Sequence, residues 1–199
     1  MRTIAGLTSL ALLLTVSLGS AALAAPPETS KSFSFATYKE RDDRTIVLVS
    51  TLTAALFERE PFVPLQVAVG VRGRGPTLTV IAESFELIDR DGQHYPMPSY
   101  DELLAAGSLL ERVEVVRNQH PIVMGQQFAN STPVASNFFP APGTDILIPR
   151  VYMPRETFFS TLIYFPYPDG GLEGVLTVRF QAEGLPEPID VRIEVPLKR

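Results

Sequence analysis

The ten residues IDVRIEVPLK, 189–198, decide the fold class. Ile189, Val191, Ile193, Val195 and Leu197 fall on one side, and Asp190, Arg192, Glu194, Pro196 and Lys198 on the other. A period of two gathers apolar groups on one face only if the chain is extended, so this is a half-buried antiparallel strand. Pro196 has no N–H for a ladder, which places the strand at a sheet edge near its end.

Working back from there, the same period recurs. Leu176, Val178 and Phe180 alternate with Thr177, Arg179 and Gln181, and Leu65, Val67, Val69 and Val71 with Gln66, Ala68 and Gly70. Residues 45–55 and 157–165 are rich in β-formers on both faces, as central strands are. Strands are therefore expected at 45–55, 65–71, 157–165, 175–181 and 189–197. Leu78 and Val80 keep one phase and Phe85 and Leu87 another, so a bulge or a break lies near Ala82 and Glu83. The expected core comprises Ile46, Leu48, Val67, Val69, Phe85, Leu87, Ile163, Val178, Phe180, Val191 and Ile193.

One helical insertion interrupts the strands, around 99–118. Ser99 precedes Glu102 by three residues and Ser108 precedes Glu111 likewise, two capping-box patterns. Gly107 between them ends the first helix. Leu109, Leu110, Val113 and Val116 then share a helical face.

The stretch DRDGQHYPMP, 89–98, has the look of a metal loop. As a calcium loop it fails, because its glycine falls at position 4 and a tyrosine at 12. As a turn it fits, with Asp89 accepting from the turn amides and Gly92 taking a positive φ before the returning strand. VRGRGP, 71–76, reads as a second turn; Arg72 and Arg74 beside glycine amides also have the chemistry to hold an anion.

The fold class expected from these patterns is all-β: an antiparallel immunoglobulin-like β-sandwich of seven to eight strands with the short insertion at 99–118. The segment PLQVAVGVRGRGPTLTVIAESFELIDRDGQHYP also resembles exported bacterial immunoglobulin-like domains. Phe85, Leu87, Asp89, Gly92 and Tyr95 meet their F-x-L-x-D-x-x-G-x-x-Y hairpin pattern. The resemblance covers about 35 residues and implies a sandwich in the cell envelope, with no activity.

Composition bounds the rest. Residues 1–24 read as a signal peptide: Arg2, a mostly apolar run from 4 to 18, then Ala22-Leu23-Ala24. The run is shorter than the roughly 20 apolar residues of a membrane span, so no integral membrane segment is expected after cleavage. An extended segment at 25–31 and one domain at 32–199 would follow. That mature chain is long enough to bury roughly 70% of its unfolded surface without disulfides, and there is no cysteine. Without Arg2 it carries 16 Lys and Arg against 22 Asp and Glu, a net of −6, which disfavours nucleic acid. The expected location is exported, periplasmic or extracellular.

Function is less legible. The chain has no cysteine nucleophile and no G-x-S-x-G elbow, so no motif carries a catalytic mechanism and no cofactor is implied. The leading expectation is a non-catalytic binding or structural module whose partner is an envelope protein or a glycan. Its surface would come from the proline- and aromatic-rich stretch 119–168, through Phe138, Phe139, Tyr152, Tyr164 and Tyr167. A second reading is copper held by His94, Met97, His120, Met124 and Met153, since imidazole and thioether together suit that metal. A hydrolase with an unlocated site is the third.

Overall fold

A computed structural model describes residues 29–33, 36–41, 44–122, 128–143 and 146–197. The expected signal peptide lies outside them, as does Met124. Among the described residues the chain is mainly antiparallel β, with twelve strands instead of seven to eight. The additional strands lie where no sustained alternation marks them. The first two are β1 (Thr29–Phe33), which begins inside the expected extended segment, and β2 (Ala36–Arg41).

Strand β3 (Thr45–Ser50) is shorter than the expected 45–55, because residues 52–56 form helix α1 (Leu52–Leu56). The helix lies on β4 (Phe62–Val71), where the Thr53 hydroxyl donates to the Pro64 carbonyl at 2.8 Å. The phase slip near Ala82 is a break: β5 (Leu78–Ile81) ends in a 3-10 turn, and β6 (Phe85–Ile88) starts in another sheet. Strand β7 (His94–Pro96) returns along β6. The Asp89 carboxylate accepts from the N–H groups of Asp91 and Gln93, both at 2.9 Å, and Gly92 has φ +80°, as the turn reading requires.

The insertion holds α2 (Tyr100–Ala105) and α3 (Leu109–Gln119). Ser99 and Glu102 form the first capping box, and Gly107 takes φ +72° between the helices. The second box does not form, since Ser108 makes no side-chain cap bond. Five further strands follow the helices: β8 (Thr132–Pro133), β9 (Arg150–Met153), β10 (Thr157–Pro166), β11 (Val175–Phe180) and β12 (Ile189–Glu194).

The strands form a six-stranded sheet in the order β1-β2-β3-β4-β10-β8, a four-stranded sheet β12-β11-β6-β7, and the pair β5-β9. Only the β8–β10 contact is parallel. Strand β12 lies at an edge but ends at Glu194, short of the expected 189–197 and before Pro196, and it crosses over β2 and β3 while β6 and β7 meet β10. The two larger sheets thus face one another across the main core, which includes Val67, Val69, Phe85, Leu87, Ile163, Val178, Phe180, Val191 and Ile193.

Ile46 and Leu48 are buried, but on the opposite face. Val47 and Val49 point into the main core, whereas Ile46 and Leu48 join Ala68 and Phe128 in a second cluster on the far side of the six-stranded sheet. Both faces of β3 are apolar, so alternation cannot tell inside from outside there. Gly70 makes this second cluster possible: a Cβ there would lie 2.2 Å from Cε1 of Phe128, so the ring occupies the space of the missing side chain.

Candidate interaction surface

Strand β9 shows how one aromatic comes to face solvent. It pairs with β5 through Leu78↔Met153, Thr79↔Tyr152, Val80↔Val151 and Ile81↔Arg150. Alternate side chains take opposite faces. Val151 and Met153 therefore enter the core, and Arg150 and Tyr152 point outward. Tyr152 is 63% exposed. Just before it in the chain, Ile146 is 83% and Leu147 44% exposed.

The outward face of β5 and β9 continues into a shallow polar cleft of about 140 Å³, lined by Thr79, Ile81, Glu83, Ser84, Arg150, Gln181 and Glu183. Thr79 and Arg150 belong both to this cleft and to the immediate neighbourhood of Tyr152, through register and alternation. The Thr79 N–H donates to the Glu183 carbonyl at 3.1 Å, which ties the far wall to β5. An apolar anchor beside a rim of carboxylates, an arginine and an amide has the make-up of a protein-contact surface.

The other aromatics assigned to this role are placed elsewhere. The segment from Thr132 runs along the free edge of β10: the Val134 N–H donates to the Phe158 carbonyl at 2.8 Å and the Ser136 hydroxyl to the Ser160 carbonyl at 3.0 Å. After Asn137, the two phenylalanines that follow are both buried in the core. The Phe138 ring lies 6.4 Å from Phe85 and 6.2 Å from Phe159, edge-on to the latter. Phe139 meets Tyr164 edge-on at 5.7 Å. Phe138, Phe139 and Tyr164 are thus core residues and offer no surface to a partner. Tyr167 is partly buried against the same core.

Tyr164 has its own anomaly. Its hydroxyl is buried without a hydrogen-bond partner among the described residues. Burial, and then the nearby Glu114 carboxylate, push its ionisation well above the ordinary tyrosine range, with Arg117 opposing.

The copper reading loses its geometry at one end. Met153 is fully buried on the inward face of β9, Met97 packs against the core, and His94 is exposed on β7 with Nδ1 2.9 Å from Glu86 Oε2. His120 is an exposed C-cap of α3. A single ion cannot take both a core thioether and an outward imidazole as ligands. Among the described residues, no group of three His, Cys, Asp or Glu side chains is placed to hold a metal. The His94–Glu86 pair has the form of a base and its orienting carboxylate, but among the described residues no hydroxyl bonds the other ring nitrogen.

Of the aromatics singled out in the sequence, Tyr152 is the exposed one; Ile146, Leu147, Arg150 and the two glutamates beside it carry no sustained pattern that singled them out. The signal was present in Arg150-Val151-Tyr152-Met153, whose alternation is short but regular. No protein-family model, curated protein or solved structure matches the chain.

Proposed function

We propose that this chain is a non-catalytic binding module of the bacterial envelope, exported after loss of residues 1–24, that grips an envelope protein through the face around Tyr152. Two facing antiparallel sheets support an immunoglobulin-like scaffold, on which function sits at exposed strands and loops. Among the described residues no helix is long and apolar enough to cross a membrane.

The observation that carries the reading is Tyr152 beside the polar cleft, the one exposed aromatic among the residues whose side chains are described. A protein is a better match than a glycan, because Ile146 and Leu147 add aliphatic area that a sugar face does not complement. Site-specific photo-crosslinking in the native host tests it. A crosslinker at position 152 should capture one defined envelope protein, a crosslinker at Val175, exposed on another sheet, should not, and Ile146→Asp should weaken capture at 152 by tenfold or more. Equal capture at both positions, or none at 152, overturns the surface. A native mass that still includes residues 1–24 overturns export.

A further inference from the structure

The two turns at the other end of the six-stranded sheet bring three arginines together. Arg41 ends β2, Arg44 precedes β3, and Arg74 lies in the connection from β4 to β5. They line one open cleft of about 290 Å³, completed by Thr45, Pro76 and Pro186. Their meeting follows from the register. The pair Thr45↔Val71 sets the start of β3 beside the end of β4, and the Arg72 N–H donates to the Arg44 carbonyl at 2.6 Å.

The connection is also built to approach closely. The Gly75 N–H closes a turn onto the Arg72 carbonyl at 2.8 Å. A Cβ at Gly75 would lie 2.6 Å from Val71 Cγ1 and 2.9 Å from that carbonyl, so only glycine permits the approach. From behind, Glu156 accepts from the Gly73 N–H at 2.5 Å and Arg155 Nε donates to the Gly75 carbonyl at 3.3 Å.

The charge at this place is unusual for an acidic chain of net −5. Arg72, Arg112, Arg117 and Arg179 each meet a carboxylate. Among the described residues that line the cleft none is acidic. Arg41 donates to the Glu187 backbone carbonyl at 2.8 Å, which satisfies an N–H without neutralising the charge. Arg44 and Arg74 are exposed and have no side-chain partner among the described residues. Asp42 and Asp43 lie outside the described residues.

From this convergence we infer that the cleft binds a phosphate group. Three arginines lining one opening suit a doubly charged tetrahedral oxyanion, which accepts forked hydrogen bonds from several sides. A carboxylate, with one charge and two oxygens in a plane, leaves the third cation unmatched. The phosphate can belong to a soluble phosphomonoester or to a lipid headgroup, since the chemistry recognised is the same.

The experiment uses the full chain as its host produces it. Amide shifts of residues 41–45 and 72–76 are followed in two-dimensional NMR as inorganic phosphate is added at constant ionic strength. Saturable shifts confined to those residues are expected, with acetate at least tenfold weaker. The exposed double variant Arg44→Gln, Arg74→Gln should weaken phosphate tenfold or more, and Arg150→Gln on another face should not. Cosedimentation with phosphatidylcholine vesicles, with and without phosphatidic acid, separates the sources. Phosphatidic acid-dependent binding lost in the double variant assigns a headgroup, and phosphate binding without it assigns a soluble ligand. No saturable shift, acetate equal to phosphate, or a double variant that binds as well as wild type overturns the inference.

Discussion

Phe138-Phe139 and Tyr152 stand fourteen residues apart in the same proline-rich stretch, and they end in opposite environments. The phenylalanines are buried, one against Phe85 and Phe159, the other against Tyr164. Tyr152 faces solvent on a strand whose neighbours Val151 and Met153 are buried. Aromatic density alone does not separate the two cases. What separates them is the strand beneath: an aromatic at the edge of β10 seals a gap between layers, whereas one on the outward phase of β9 has nothing above it.

The largest test of that contrast is truncation on each side. Phe138→Ala is expected to cost about 3–5 kcal/mol of unfolding free energy, because it opens a cavity between the Phe85 and Phe159 rings. Tyr152→Ala should change it by less than about 0.5 kcal/mol. Chemical denaturation of both variants checks this, and similar losses would break the comparison.

The next effect sharpens it on the far face of the same sheet. Gly70→Ala places a methyl group inside the Phe128 ring, which must move. A loss of roughly 1–3 kcal/mol is expected from such overpacking. Combining it with Phe128→Ala should recover part of the Gly70→Ala penalty relative to Phe128→Ala alone. Additive losses in that double-mutant cycle would show that the ring does not depend on the glycine.

A smaller effect has the opposite sign. Tyr164→Phe removes a buried hydroxyl that has no partner among the described residues and leaves the ring against Phe139. Stability should rise by about 1 kcal/mol, the lower end of what an unsatisfied buried polar group costs. A fall of that size instead would mean the hydroxyl is bonded in solution.

The smallest concerns acid. Burial raises the Asp89 carboxyl, but hydrogen bonds from the Gln93 amide, the Tyr95 hydroxyl and the Asp91 amide outweigh it and hold the group below its ordinary value. A carboxyl depressed on folding contributes stability above its unfolded pKa of about 3.9, and that contribution is lost as pH falls through the lower folded value. Asp89→Asn should therefore flatten the decline of stability below about pH 4 and leave the profile between pH 5 and 7 parallel to wild type. An unchanged acid limb would show that the hairpin network is not preferentially bound to the ionised form.

Much of the local structure is legible in the chain. The alternation of residues 189–194, the Asp89–Gly92 turn, the Ser99–Glu102 cap and the Gly107 stop all appear where the pattern puts them. Each is decided by groups a few residues apart: a period, a carboxylate near its amides, a glycine free to take positive φ.

Only the tertiary structure decided the rest. Residues 45–50 are apolar on both faces, and the layers above and below chose Val47 and Val49 for the main core over Ile46 and Leu48. Residues 52–56 satisfy a strand pattern, yet they become a helix because β4 offers a surface for one to lie on. Phe138 and Tyr152 are both aromatics of one proline-rich stretch, and the cleft arginines come from turns some thirty residues apart. Burial and charge neutralisation depend on what arrives from elsewhere in the chain, and no short-range pattern encodes that arrival.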